Sequence, residues 1–182
     1  MNRKSNLIIP DADVVIHLFE LDIWVKFLAL NQVFLAQTVV DDEVSFYRTG
    51  PYDLKSKEYI DLSEDVSTGR LTVVSLDAKD IQPMLTELER MHAPLIDPGE
   101  TETIAASYLN YPDDLQVCLV DAAAIKCAVM LDLRHKCVSV ERALTNCGLG
   151  RQLPKELSDK RFHEIVKQAE LQKVYCFNRN GQ

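Results

Sequence analysis

The stretch Val117-Cys118-Leu119-Val120-Asp121-Ala122-Ala123-Ala124 carries the fold in miniature. Four apolar residues in a row, with no alternation, describe a strand buried on both faces, as in a parallel sheet. An aspartate ends the strand, and a small-residue run over 122–131 reads as the helix that follows it. The same unit stands at the start of the chain: Leu7-Ile8-Ile9, then Pro10-Asp11. After it, Val14, Val15, Leu18 and Phe19, then Trp24, Phe27 and Leu28, recur at helical spacing to about residue 30.

Between these units the alternation continues. Val33-Phe34-Leu35-Ala36 reads as a second buried strand, and Thr38 as the cap of a helix carrying Val39, Val40, Glu43 and Phe46. Thr49-Gly50-Pro51 breaks that helix, and a polar stretch runs to Gly69 with a short helix near 57–62. Leu71-Thr72-Val73-Val74 is a β-branched strand, followed by a helix over about 79–91, a turn at Asp97-Pro98-Gly99 and a helix over 100–109. Val138 marks a short last strand, with helices near 141–147 and 159–171. The expected fold is a three-layer α/β/α sandwich around a central parallel sheet of four to five strands, Rossmann-like in its crossovers. It forms one domain over residues 1–150, with 151–182 as its C-terminal helical extension.

Composition agrees with a packed soluble domain: 182 residues, 47% apolar and 26% charged, with six Gly and seven Pro. A disordered or fibrous chain is excluded. The net charge of −8 is unevenly spread. Residues 1–120 hold 9 Lys/Arg against 21 Asp/Glu, and residues 121–182 hold 11 against 7. Acid early in the chain suits cations, and base late in the chain suits an anion. Five widely spaced cysteines without a CxxC pair point to reduced thiols rather than zinc or disulfides. The apolar run 7–9 is too short for a signal peptide, and polar residues interrupt 21–40, so a cytoplasmic protein without a membrane segment is expected.

In a parallel sheet, ligands bind outside the carboxyl ends of the strands, which is where Asp11 and Asp121 fall. Asp41-Asp42-Glu43 follows the second strand, and Glu100 and Glu102 follow the Pro98-Gly99 turn. Capping or solvation accounts for each acid singly. Together, four acidic groups on one edge repel one another, and a hard cation such as Mg²⁺ or Mn²⁺ relieves that repulsion with oxygen ligands. No His or Cys falls at these strand ends, so zinc is not suggested.

These segments resemble the PIN-domain nuclease family. Residues 8–16, Ile-Ile-Pro-Asp-Ala-Asp-Val-Val-Ile, are similar to the family's first strand and its acid. Val40-Asp41-Asp42-Glu43-Val44 resembles the acid on its second helix, with Glu43 the preferred register. Gly99-Glu100-Thr101-Glu102 resembles its glycine–glutamate helix start, and Val120-Asp121-Ala122-Ala123 its strand-end acid. The order holds from residue 7 to about 147. It departs at Val120, where many relatives carry another Asp, and at Asp13, a position more often Ser, Thr or Asn.

The resemblance implies metal-dependent phosphodiester hydrolysis, usually of RNA. Asp11, Glu43, Glu100 and Asp121 would hold Mg²⁺ or Mn²⁺ directly or through water, with Glu102 reaching the metal through water or acting as a base. Lys126, Arg134, Lys136 and Arg142 are the candidates for gripping a single-stranded RNA backbone. Family analogy adds a homodimer, with Trp24, Phe27 and Leu28 as a face that could pair two subunits, and an antitoxin-like protein partner; the longer tail does not imply a toxin role. Two other readings fit parts of the pattern. A haloacid-dehalogenase-like phosphatase would use Asp11 as nucleophile and Asp13 as acid/base. A non-catalytic relative would bind RNA or a protein partner through the same fold.

Overall fold

The computed structural model describes residues 6–49 and 56–180. Five parallel strands form the central sheet: β1 (Leu7–Pro10), β2 (Gln32–Ala36), β5 (Leu71–Val74), β6 (Gln116–Cys118) and β7 (Cys137–Val138), in the order β5-β2-β1-β6-β7. Every pairing in this sheet is parallel, with Ile9 opposite Val117 and Val33 opposite Leu71. The expected three-layer α/β/α sandwich is therefore the architecture, with five strands.

Side-chain alternation along each strand divides the core in two. Ile8, Val33, Leu35, Leu71 and Cys118 face one apolar layer, built from α1 (Ala12–Glu20), α2 (Trp24–Leu30) and α7 (Val140–Asn146). Ile9, Phe34, Val74, Val117 and Leu119 face the other, built from α4 (Ala78–Arg90), α5 (Pro98–Tyr108), α6 (Ala122–Met130) and α8 (Asp159–Asn180). Burial of both faces is why these strands carry continuous apolar runs. Phe162, Ile165, Val166 and Ala169 of α8 join the second layer, so residues after 150 complete the same core. Trp24, Phe27 and Leu28 are all buried within the chain, and the indole N–H donates to the buried Asp65 at 2.9 Å. These three side chains belong to the core of the chain itself.

The structure corrects two stretches. Residues 39–43 form a π-helical turn rather than an α-helix, and Phe46 lies beyond it in β3 (Phe46–Thr49). Paired β-branched valines are weak α-helix formers, and the Thr38 hydroxyl accepts no capping hydrogen bond. The short helix expected near 57–62 is instead β4 (Ser56–Tyr59), antiparallel to β3, and the helix α3 (Ser63–Ser67) comes just after it. The Lys57 ammonium lies 4.1 Å from the Phe46 ring centre across this pair, a cation–π contact that periodicity cannot register. The expected break at Gly50-Pro51 lies outside the described residues. Among the described residues, no helix is long and apolar enough to cross a membrane.

Candidate acidic site

The strand order reverses between β1 and β6, because the chain leaves β1 toward β2 on one side and returns to β6 on the other. Crossover helices diverge at such a point and leave a crevice at the carboxyl ends of the two strands. Asp11 follows β1 there, and Asp121 follows β6. Both are helix N-caps: Asp11 accepts from the Val14 N–H at 2.8 Å, and Asp121 from the N–H groups of Ala123 and Ala124 at 2.6 and 3.1 Å.

Asp11 does more than cap. Its second oxygen accepts from the Val120 N–H at 3.2 Å, which ties the end of β1 to the end of β6. Only 2% of the residue is exposed. Burial is the main cause that pushes its carboxyl up to about 7, and the charges of Asp13 and Glu100 add to it against two stabilising backbone hydrogen bonds. Glu100, half-buried in the first turn of α5, is also pushed up to about 7. Desolvation leads, and the charges of Asp121, Asp97 and Asp13 follow, opposed by the Asp97 N–H that it accepts at 3.0 Å. Asp11, Asp13, Glu100 and Asp121 are thus close enough to feel one another.

Glu43 reaches the start of α5 from the π turn. Its Oε1 accepts from the Gly99 N–H at 2.8 Å. A Cβ at position 99 would lie 2.0 Å from the Glu43 carboxylate, so only glycine permits this approach. The glycine at the start of α5 is therefore explained by Glu43, a residue 56 positions away.

Glu102 is placed differently. It is buried, and its two oxygens accept from the Thr38 N–H at 2.9 Å and the Leu76 N–H at 3.1 Å. It joins the chain just beyond β2 to the chain just beyond β5. The basic candidates are scattered. Lys136 donates to the Ser107 carbonyl at 2.9 Å and to Asn110, at the far end of α5 from Glu100. Arg134 pairs with Glu170 at 2.6 Å, and Arg142 with Asp159 at 2.7 Å. Arg142, in the first turn of α7, and Lys126, in α6, are the two carried by helices that start at the carboxyl edge.

The donor set suits a hard cation by type, since it is all oxygen. Glu43 Oε2, Glu100 Oε1 and Asp121 Oδ2 carry no hydrogen bond among the described residues. Cys118 and Cys127 lie within reach of the acids' charges, but burial raises both thiols, Cys127 to about 12, so neither supplies a thiolate. As placed, no three acid, histidine or cysteine side chains among the described residues stand together closely enough to hold one ion. Asp13 and Asp97 complete the local charge and were not among the ligands expected from sequence. The i, i+2 spacing of Asp11 and Asp13 was the available signal for the first.

No family model, no curated protein and no solved structure matches this chain.

Two expected results follow from this geometry. Gly99→Ala should leave the melting temperature close to wild type, because alanine gains about 1 kcal/mol of helix propensity while Glu43 loses one hydrogen bond. It should weaken Mn²⁺ binding in a calorimetric titration, since Glu43 must swing away; an unchanged Mn²⁺ affinity would remove Glu43 from the site. The second concerns pH. The native value of Asp11 lies above its ordinary 3.8, so ionising it costs stability as pH rises from about 4 to about 7. Each unit of that difference is worth about 1.4 kcal/mol. Metal-free Asp11→Asn, which keeps the Val14 cap but loses the Val120 acceptor, should gain on wild type between about pH 4 and pH 7 in thermal melts and gain little more above that. A gap independent of pH would mean that Asp11 is not strained by its burial.

Proposed function

We propose that the protein is a metal-dependent endoribonuclease that hydrolyses phosphodiester bonds in single-stranded RNA at this acidic edge. The observation that supports the reading is that Asp11 and Glu100, near the topological switch point between β1 and β6, are desolvated and feel the charges of neighbouring carboxylates, Asp13 on both and Asp121 on Glu100. Like charges held together at the ligand-binding edge of a parallel sheet cost stability, and a cation is what would offset that cost.

In this reading Asp11, Glu43, Glu100 and Asp121 hold Mg²⁺ or Mn²⁺ directly or through water. The bound ion supplies a water of lowered pKa and neutralises charge on the phosphate. The chain's own part is to fix the donors. The hydrogen bond from Val120 holds Asp11 across the β1–β6 crevice, and the α6 N–H groups orient Asp121. Asp11 and Glu100, both pushed up to about 7 chiefly by burial, would release protons on binding a cation, so cation affinity would rise with pH through neutrality. Lys126 and Arg142, on helices that start at the carboxyl edge, would meet the phosphate backbone, Arg142 on leaving its pair with Asp159. The described cysteines are all unpaired, which suits a reducing, cytoplasmic setting.

The test is cleavage of unstructured oligoribonucleotides in Mn²⁺ and in EDTA. Loss of cleavage in EDTA supports the reading, and equal cleavage in both sinks it. Binding without cleavage under all conditions would favour the non-catalytic module, for which the dispersed placement of the acid side chains speaks. Hydrolysis of a phosphate monoester, lost in Asp13→Asn, would favour the phosphatase.

A further inference from the structure

A groove of about 390 Å³ opens beside Glu102, on the β5 side of the acidic edge. One wall is a single face of α4, where Ala78, Ile81, Gln82 and Leu85 recur at helical spacing. The other is the start of α5, with Ile96 just before it and Pro98 and Thr101 in its first turn. That turn also carries Gly99 and Glu100, so the groove and the acid cluster share one rigid element. Leu76, Ile81 and Ile96 are only partly buried, and Leu85 is 37% exposed.

The lining selects its occupant by chemistry. No Lys or Arg is among its residues, so it offers nothing to a phosphate. It has apolar walls and a few polar groups, the composition of a small-molecule pocket, and its volume falls within the usual range of about 300–1,000 Å³. The Gln82 amide is exposed, with a single long hydrogen bond of 3.4 Å to Thr86, so it can turn to offer a donor and an acceptor to a flat heteroaromatic edge.

We propose that this groove receives one unpaired base of the single-stranded RNA whose backbone crosses the acidic edge. The inference rests on the nuclease reading above and adds the part of the substrate that is recognised. Thr38 and Leu76, just past the ends of β2 and β5, floor the groove, while Asp11 and Asp121 follow β1 and β6, two strand spacings or about 10 Å away. A base next to the scissile phosphate spans such a distance when it is splayed from the strand. Paired bases cannot enter, so the groove explains a preference for single strands without any contact to a duplex.

The experiment compares an oligoribonucleotide with versions in which one ribose at a time carries no base. Wild type in Mn²⁺ should cleave one of these about tenfold or more slowly than the intact strand, with little change for bases removed elsewhere. Ala78→Trp, at an exposed position, fills the groove and should bring that ratio to about one. If wild type cleaves every version equally, the groove takes no base while the nuclease reading stands. If nothing is cleaved, the nuclease reading fails, and anisotropy with the same labelled strands in EDTA still reads the groove. Tighter binding of the intact strand that Ala78→Trp abolishes would uphold it, and equal binding of all strands would overturn it.

Discussion

Asp11→Asn should lower Mn²⁺-dependent cleavage of single-stranded RNA by at least about a hundredfold while leaving the far-UV circular dichroism spectrum unchanged. The size follows from the part this carboxylate plays. Removing one preorganised group that stabilises developing charge costs about 10²–10³ in rate, and a lost metal ligand removes the activated water as well. The fold should survive, since asparagine caps α1 as well as aspartate does and retains the hydrogen bond from Val14. A linked measurement needs no substrate. Mn²⁺ at ~10–100 times its dissociation constant should stabilise wild type by about 1–3 kcal/mol, and Asp11→Asn by less. If wild type gains nothing from Mn²⁺ and the variant melts lower at every pH, Asp11 is a structural cap and the nuclease reading loses its basis.

Glu102→Ala should behave in the opposite way, as the most destabilising single change at this edge. Its carboxylate satisfies the N–H groups of Thr38 and Leu76, and neither has another acceptor among the described residues. Leaving a buried donor unsatisfied costs about 1–3 kcal/mol, so the pair amounts to about 2–4 kcal/mol where water can reach part of the space. For a chain of this size that is roughly 5–15 °C in melting temperature. Glu102→Gln keeps one acceptor and should lose about half as much. The sign separates the two roles at this edge: removing a repelled metal ligand raises the stability of the metal-free protein, whereas removing a clamp lowers it. A Glu102→Ala variant that melts above wild type in EDTA would return Glu102 to the set of ligands.

Separate backbone and side-chain physics explain which features were readable in advance. The strands, their parallel pairing and the helices between them were legible because burial on both faces demands continuous apolar runs, as in residues 7–9, 33–36 and 117–120. The positions of Asp11 and Asp121 were legible for the same reason, since a strand end is a one-dimensional fact. Partners were not. That Glu43 needs Gly99, that Asp11 holds Val120, and that Glu102 joins the ends of β2 and β5 depend on approaches between residues 26 to 109 positions apart. The β3–β4 hairpin was hidden because its exposed, charged strand Ser56–Tyr59 carries no apolar alternation, and its stability comes from pairing with β3. Local pattern reports which face a residue turns to the core. Only the folded chain decides which charges an acid meets at that edge, as Asp11 and Glu100 meet Asp13, and which loops it joins, as Glu102 joins those after β2 and β5.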